Sequence, residues 1–235
     1  MRYAIYFSPP HDDPLTRAAA RWLGRDAFTG ESMPAQAIGD LSAAEIAYHT
    51  ASARRYGFHA TLKAPFALGD GVAEADLVAA LDAFAASAEP VLLPAVGARQ
   101  LQGFFALMPT ERNSALDALA ADIVTTFDRF RAPMSDADIA RRNPDALTPS
   151  QLRHLHQWGY PYVLDEFRFH MTLSGRVAGA DAARIARALD AHFGAILSDP
   201  LEIASIALSV EPEPGAPFTI RSFHGIGRRE QRKSA

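Results

Sequence analysis

The pattern of apolar and polar positions divides the first half of the chain into strands and amphipathic helices. Residues 2–7 predict a strand that ends at a serine and two prolines. Two aspartates before Pro14 are a helix start signal, and they predict a helix that runs to about Gly24. A shorter helix is predicted at 42–53, and apolar residues at helical spacing predict another at 74–88.

The second half of the chain repeats this order. Residues 101–108 predict a strand, 113–130 predict a long amphipathic helix, and 181–197 predict a further helix. The remaining predictions are strands at 91–96, 201–210 and 218–227 and a short helix at 150–158. We therefore predict an α+β fold built from a duplicated unit of strand, helix, strand, helix, strand and strand. The halves span about 1–102 and 103–227 of a single bilobal domain covering 1–235.

Two segments fall outside this duplicated unit. Residues 132–149 are rich in proline, aspartate and arginine, and with the short helix that follows they form a candidate lid at 132–160. Residues 228–235 form a basic tail, which is typical of a solvated terminus.

Composition narrows the classes of function. A chain of 235 residues with 49% apolar and 21% charged residues is large enough for one sizeable core. No apolar run approaches the roughly 20 residues that span a bilayer, so we expect a cytoplasmic protein with no membrane partner. The absence of cysteine excludes disulfides and thiolate chemistry. The net charge of −4 disfavours broad binding to nucleic acid but leaves room for a small anion in a local basic pocket.

Two short segments share one five-residue pattern. Phe-His-Ala-Thr-Leu occupies 58–62 and Phe-His-Met-Thr-Leu occupies 169–173. The chain's own composition gives roughly two thousandths of one such copy by chance. Because side chains alternate between the two faces of a strand, the polar residues of each copy share one face. These predicted polar faces hold His59, Thr61 and Lys63 in the first copy, and Arg168, His170, Thr172 and Ser174 in the second.

The paired His-x-Thr motifs resemble the two signatures of the 2H phosphoesterase superfamily. Residues 54–58, Arg-Arg-Tyr-Gly-Phe, and 158–162, Trp-Gly-Tyr-Pro-Tyr, are similar to a bacterial branch described as phosphonate-metabolism proteins, as is Lys63. The resemblance covers nearly the whole chain. It implies that two lobes of antiparallel strands form a central cleft, with the two motifs facing each other across it.

The residue types suit metal-independent phosphodiester cleavage. A phosphodiester needs a base to activate the attacking oxygen and an acid to protonate the leaving oxygen, and His59 and His170 can supply both. The resemblance assigns Thr61 and Thr172 to the non-bridging phosphate oxygens. Which histidine is the acid stays open at this point. We expect no cofactor, and a small phosphorylated molecule as the substrate.

Other polar residues are candidates for substrate binding. Lys63 and Arg168 either hold a second phosphate or are cations at the cleft edge. Tyr6 either stacks on a sugar or base or belongs to the core, and Arg55 is alternatively a solvated charge at a helix end. The full set of candidates is Lys63, Arg168, Tyr6, Ser174, Arg55 and Tyr56.

Three functions compete on these observations. The favoured one is hydrolysis of a small cyclic phosphodiester, and a narrower hypothesis is ring opening of a phosphoribosyl cyclic phosphate. The second is a phosphodiesterase or ligase acting on RNA ends, and the third is a non-catalytic module that binds phosphorylated ligands. His154 and His156 have the spacing of some metal sites, but a helix surface explains them more simply, so we predict no metal.

Overall fold

The computed structural model describes residues 1–34 and 36–227 and confirms an α+β fold with antiparallel strands. The strands are β1 (Arg2–Phe7), β2 (Ala60–Phe66), β3 (Val91–Leu93), β4 (Val96–Leu101), β5 (Phe104–Pro109), β6 (Met171–Arg176), β7 (Leu201–Ile203), β8 (Ser205–Glu211) and β9 (Thr219–Gly225). The helices are α1 (Pro14–Leu23), α2 (Ala43–Arg54), α3 (Glu74–Ser87), α4 (Ser114–Phe127), α5 (Asp136–Ala140), α6 (Pro149–Trp158) and α7 (Gly179–Phe193). The basic tail predicted at 228–235 lies outside the described residues.

Seven strands form one antiparallel sheet in the order β4-β5-β6-β2-β1-β8-β9, while β3 and β7 form a separate two-stranded ribbon. The two halves exchange strands, because β4 of the first half pairs with β5 and β8 of the second half pairs with β1. At the centre β2 and β6 are joined through a single register pair, Ala60 with Met171. The ends of the two motifs therefore meet at the junction of the halves.

Local signals explain where the helices begin and end. The Asp13 side chain accepts a hydrogen bond from the Leu15 N–H at the start of α1, and Gly24 ends this helix in the left-handed conformation at φ 73°. Ser42 and Glu45 form a reciprocal capping box at the start of α2. The structure thus confirms the first two helices predicted from these signals.

Three predicted strands are wrong in their continuity. The one predicted at 91–96 is divided between β3, which pairs with β7, and β4, which begins at Val96 and joins the large sheet. The strand predicted at 101–108 is divided by a tight turn in which Gln102 and Gly103 both have positive φ, at 48° and 94°. A two-residue hairpin requires this geometry, but glutamine is an unusual first residue for it and hides the turn in the sequence. The strand predicted at 201–210 is divided at Ala204, because β7 pairs with β3 whereas β8 joins the large sheet.

The core lies on one face of the large sheet. Tyr3, Ile5 and Phe7 of β1 belong to the main cluster, which also includes residues of α1, α3, α4 and α7. The alternate residues Ala4 and Tyr6 face the other way and join a smaller cluster. This second face carries the cleft described below. Among the described residues, no helix is long and apolar enough to cross a bilayer.

Candidate functional site

The register at the centre of the sheet brings both motifs together on one face. Ala60 of β2 pairs with Met171 of β6 in an antiparallel ladder, and both side chains are buried in the core. The residues on either side of this pair point to the opposite face. Four residues flank this pair, and an antiparallel register continued by one residue in each direction would place His59 opposite Thr172 and Thr61 opposite His170. We call His59, Thr61, His170 and Thr172 the motif quartet.

Both histidines are held by the same backbone hydrogen bond. The His59 Nδ1 atom lies 2.9 Å from the Gly57 carbonyl oxygen, and the His170 Nδ1 atom lies 2.7 Å from the Arg168 carbonyl oxygen. A carbonyl only accepts, so each Nδ1 carries the proton and each Nε2 is left for other partners. The Thr61 hydroxyl lies 3.2 Å from the His59 Nε2 atom. A phosphate oxygen bound by this threonine would therefore lie within reach of the imidazole.

Gly57 explains part of the sequence before the first motif. Its φ of 72° is left-handed, and a Cβ atom at this position would lie 2.6 Å from the Ala27 Cβ atom. Only glycine fits both constraints, and this backbone conformation directs the carbonyl at His59. In the second copy Arg168 supplies the equivalent carbonyl without such a glycine.

The two imidazoles have different surroundings. His59 stacks on Tyr6 with ring centroids 3.8 Å apart and an interplanar angle of 26°. Burial lowers the pKa of His59 to about 4, against the opposing effect of its bond to Gly57, and the nearby charge of His170 lowers it further. Burial also lowers the pKa of His170, against the opposing effect of its bond to the Arg168 carbonyl, and its ring lies 5.8 Å from that of Phe104.

A cleft of about 580 Å³ lies above the quartet. His59, Thr61 and Thr172 line it, whereas His170 is not among its lining residues; the His170 ring centroid lies 5.8 Å from that of Phe104, which does line the cleft. The candidate lid at 132–160 supplies much of the opposite wall. The arginines on the walls are Arg2, Arg131, Arg141, Arg142 and Arg176. A chain of net negative charge thus carries a locally basic cleft.

Lys63 does not face this cleft. Strand β2 has an irregularity after Thr61, because Tyr6 pairs with Thr61 whereas Ile5, one residue earlier, pairs with Lys63. Directly opposed residues share a face, so Lys63 turns to the core side with Ile5. Its ammonium donates to the Asp128 carboxylate at 3.0 Å, and burial lowers its pKa. The predicted alternation is therefore wrong beyond Leu62, and the side chain lies away from the substrate cleft.

The second motif has a matching irregularity. The register between β5 and β6 shifts between Ala106–Thr172 and Phe104–Arg176. Ser174 lies inside this shift, where its hydroxyl accepts a hydrogen bond from the Phe105 N–H at 2.9 Å. This buried hydroxyl supports the strand, although its residue contributes to the cleft wall. The Arg168 side chain is exposed and does not line the cleft.

The remaining candidates surround His59. Tyr6 and Tyr56 both line the cleft, but Tyr6 is 1% exposed and its ring lies against the imidazole. Arg55 is ion-paired to the fully buried Glu211, which also accepts from Arg2 at 2.5 Å. Burial would raise the pKa of Glu211, but the bonds from Arg2, the Gly215 N–H and Arg55 outweigh it and lower the pKa to about 2.

The sequence-based candidates miss several wall residues. Phe104, Tyr160, Arg142 and Arg176 line the cleft. Tyr160 falls within the Trp-Gly-Tyr-Pro-Tyr segment, and Arg142 falls within the arginine-rich lid, so both had a signal in the sequence. Arg176 also had a signal, because strand alternation from Thr172 through Ser174 places it on the same face, but the candidate set ended at Ser174.

The described residues contain no group of three or more His, Cys, Asp or Glu side chains arranged to hold a metal ion. His154 instead pairs with Asp165, with 2.6 Å between Nε2 and Oδ1.

Comparison with solved structures returns phosphoesterases. A structure described as a phosphoesterase is 14% identical, covers 97% of this chain and 99% of its own, and has a TM-score of 0.42. E. coli LigT complexed with 3'-AMP is 14% identical, with coverage of 97% and 98% and a TM-score of 0.43. At such identities and scores no activity and no residue role is carried over to this chain.

Two curated relatives share the name ribose 1,5-bisphosphate phosphokinase PhnN. The protein of Janthinobacterium sp. (strain Marseille) is 39% identical over 97% of this chain and 52% of its own length. The protein of Laribacter hongkongensis (strain HLHK9) is 37% identical over 94% of this chain and 50% of its own length. The chain thus spans about half the length of these relatives. The profile of the family described as "Protein of unknown function (DUF1045)" matches residues 61–219, which is most of the chain, and the protein therefore belongs to the DUF1045 family.

Proposed function

We propose that this protein hydrolyses a small cyclic phosphodiester by acid–base catalysis between His59 and His170, without a resident metal ion. The observation that carries this proposal is the motif quartet. Each histidine and each threonine flanks the residue pair that joins the two strands, and each Nδ1 is bonded to a backbone carbonyl, so that Nε2 is left for proton transfer.

The proposed reaction is one in-line displacement at phosphorus. A water oxygen attacks phosphorus while one histidine Nε2 takes its proton, and the other histidine gives its proton to the sugar oxygen that leaves. One P–O bond forms, one breaks, and the ring opens to a phosphomonoester. The hydroxyls of Thr61 and Thr172 hold the two non-bridging oxygens and stabilise their growing charge.

The surroundings of the two imidazoles assign their roles in this proposal. With a pKa of about 4, His59 is neutral over most of the pH range and is suited to act as the base. Burial lowers the pKa of His170 as well, but this imidazole is less buried than that of His59, which suits it better to carry the proton. We therefore assign His59 as the base and His170 as the acid in the hydrolytic direction.

The name of the relatives suggests a substrate. A kinase that acts on ribose 1,5-bisphosphate needs a supply of that compound, and opening the ring of a ribose 1,2-cyclic phosphate that carries a 5-phosphate yields it when the 2-oxygen leaves. We propose this phosphoribosyl cyclic phosphate as the substrate. The protein would then belong to phosphonate metabolism, as the resemblance in the sequence implies.

In this proposal the phosphokinase activity in the relatives' name does not belong to this chain. The sequence contains Lys63 and Lys233, and neither stands in the Gly-Lys-Ser/Thr pattern with which P-loop enzymes hold nucleotide phosphates. The relatives are about twice as long as this chain, so we attribute their phosphokinase name to the half that this chain does not match.

The test is a panel of cyclic phosphates assayed with EDTA and followed by phosphorus NMR. The panel contains phosphoribosyl 1,2-cyclic phosphate, the same compound without its 5-phosphate, nucleoside 2',3'-cyclic phosphates and an RNA oligonucleotide with a cyclic end. The proposal predicts that the phosphoribosyl compound turns over fastest and gives a single phosphomonoester. Preference for the RNA end would favour the RNA alternative, and absence of turnover across the panel would contradict the proposal.

A further inference from the structure

Two arginines of the cleft wall stand apart from the other three. Arg2 is paired with Glu211, Arg131 with Asp128 and Arg141 with Asp138. Within residues 1–34 and 36–227, neither Arg142 nor Arg176 has a carboxylate at ion-pairing distance. Their positive charges are the ones available to an anion that enters the cleft.

Arg176 lies on the same face of the sheet as the quartet. It pairs with Phe104, just as Thr172 pairs with Ala106, and both Phe104 and Thr172 line the cleft. A regular strand would separate residues 172 and 176 by about 13 Å, and the irregularity around Ser174 shortens this distance. The long Arg176 side chain spans part of the remaining distance to Thr172. An anion beside Arg176 and a phosphate at Thr172 would therefore occupy one cavity.

Arg142 approaches the same cavity from the candidate lid. Its guanidinium carbon lies 5.0 Å from the centroid of the Tyr160 ring, and both residues line the cleft. A guanidinium over an aromatic face is held in place while the N–H groups at its edge remain able to donate. The other Tyr160 contact is a ring-to-ring one with Tyr162 on the same segment.

We propose that Arg142 and Arg176 form a subsite for a second phosphate of the substrate, a phosphomonoester carried on the same molecule as the cyclic phosphodiester. This inference rests on the proposed function for the identity of the first phosphate. Two guanidinium groups lining one cleft, one from the candidate lid and one from β6, match the charge and the oxygen acceptors of a phosphomonoester dianion. They take the role that the sequence had suggested for Lys63 and Arg168.

The experiment compares two substrates that differ only in the second phosphate, namely ribose 1,2-cyclic phosphate with and without a 5-phosphate. The variants are Arg142→Gln, Arg176→Gln and their combination. Arg141→Gln is the matched control, because this neighbouring arginine also lines the cleft but is already paired with Asp138. Each subsite substitution should raise KM for the 5-phosphorylated substrate about 10- to 100-fold, the usual effect of losing a charge-assisted hydrogen bond. Turnover of the other substrate and of the control should change less than about 3-fold.

A second measurement separates failure of the subsite from failure of the proposed function. Binding of ribose 5-phosphate, followed by calorimetry on the full chain, requires no turnover. Weakened binding in the double variant, with the control unchanged, supports the subsite even if no cyclic phosphate is hydrolysed. Equal binding by the double variant, the control and the wild-type protein would overturn it, and so would an equal rise in KM for both substrates.

Discussion

The two motif strands have nearly the same backbone but different neighbours. In both, the histidine Nδ1 is bonded to the carbonyl two residues earlier, and a register irregularity follows the threonine. The residue opposite the threonine differs, because Tyr6 faces Thr61 whereas Ala106 faces Thr172. The large ring of Tyr6 covers His59, while His170 has only the more distant Phe104 beside it. The repeated motif thus fixes the backbone geometry of both histidines, while the residues packed around each imidazole give the two histidines different surroundings.

The position after each irregularity shows the same contrast. Lys63 turns into the core and pairs with Asp128, whereas Ser174 accepts a hydrogen bond from the backbone of β5. Both side chains stabilise a strand, by an ion pair in one half and a neutral hydrogen bond in the other. The equivalence of the two strands therefore ends at the threonines.

The largest expected effect comes from removing either histidine. His59→Ala and His170→Ala should each lower kcat for the cyclic phosphate about 10²- to 10⁴-fold, the usual contribution of a general base or acid. Thermal unfolding of each variant serves as the control for folding. Full activity in both single variants would show that the quartet does not perform the chemistry.

The next effect concerns the threonines. Thr61→Val and Thr172→Val preserve shape but remove the hydroxyl, and each should lower kcat/KM about 10- to 100-fold because a hydrogen bond to a charged oxygen is lost. Thr→Ser at the same positions keeps the hydroxyl and should recover most of the activity. Equal losses in the valine and serine variants would instead indicate a packing role.

A smaller effect should appear in the pH dependence. The reaction needs neutral His59 and protonated His170, so kcat/KM should rise through a pKa of about 4 and fall through one below 6.5. Tyr6→Leu admits water to His59 and should move the acid limb upward, whereas Phe104→Leu should raise the alkaline limb. A Tyr6→Leu profile that shifts only at its alkaline limb would reverse the assignment.

The smallest effects on activity are expected at Lys63 and Ser174, the positions that follow the threonine in the two irregular strands. Lys63→Met should change kcat/KM less than about 3-fold but should lower the free energy of unfolding by about 3–5 kcal/mol, because it removes one partner of a buried ion pair and leaves Asp128 with Arg131 alone. Ser174→Ala leaves the Phe105 N–H without an acceptor and should lower that free energy by about 1–3 kcal/mol. Denaturant unfolding measures both. A large loss of kcat/KM in Lys63→Met, without such a loss in Ser174→Ala, would indicate that Lys63 contacts the substrate.

Much of the fold follows from local patterns in the sequence. Helical periodicity and caps such as Asp13 and Ser42 predict the helices, and the repeated motif predicts which residues share a polar face. The division of the chain at Gln102 was not predicted, because Gln-Gly is not one of the usual two-residue hairpin sequences and apolar residues continue on both sides of the turn.

The site was predictable only as far as strand alternation holds. The quartet and the face of Arg176 follow from alternation, but the position of Lys63 depends on a register irregularity that no local pattern reveals. The role of Tyr6 depends on pairing between β1 and β2, which brings its ring against His59. Pairing between strands distant in the sequence thus turns Lys63 away from the cleft and brings Tyr6 against His59.

The most direct test of the two different histidine roles changes the leaving group. A p-nitrophenyl phosphodiester releases an oxygen that needs no proton, whereas a ribose cyclic phosphate releases one that does. The rate of each variant, His59→Ala and His170→Ala, is measured on both substrates. His170→Ala should lose far less activity on the p-nitrophenyl ester than on the cyclic phosphate. His59→Ala should lose the same activity on both substrates. Equal losses by both variants on both substrates would contradict the assignment of one base and one acid.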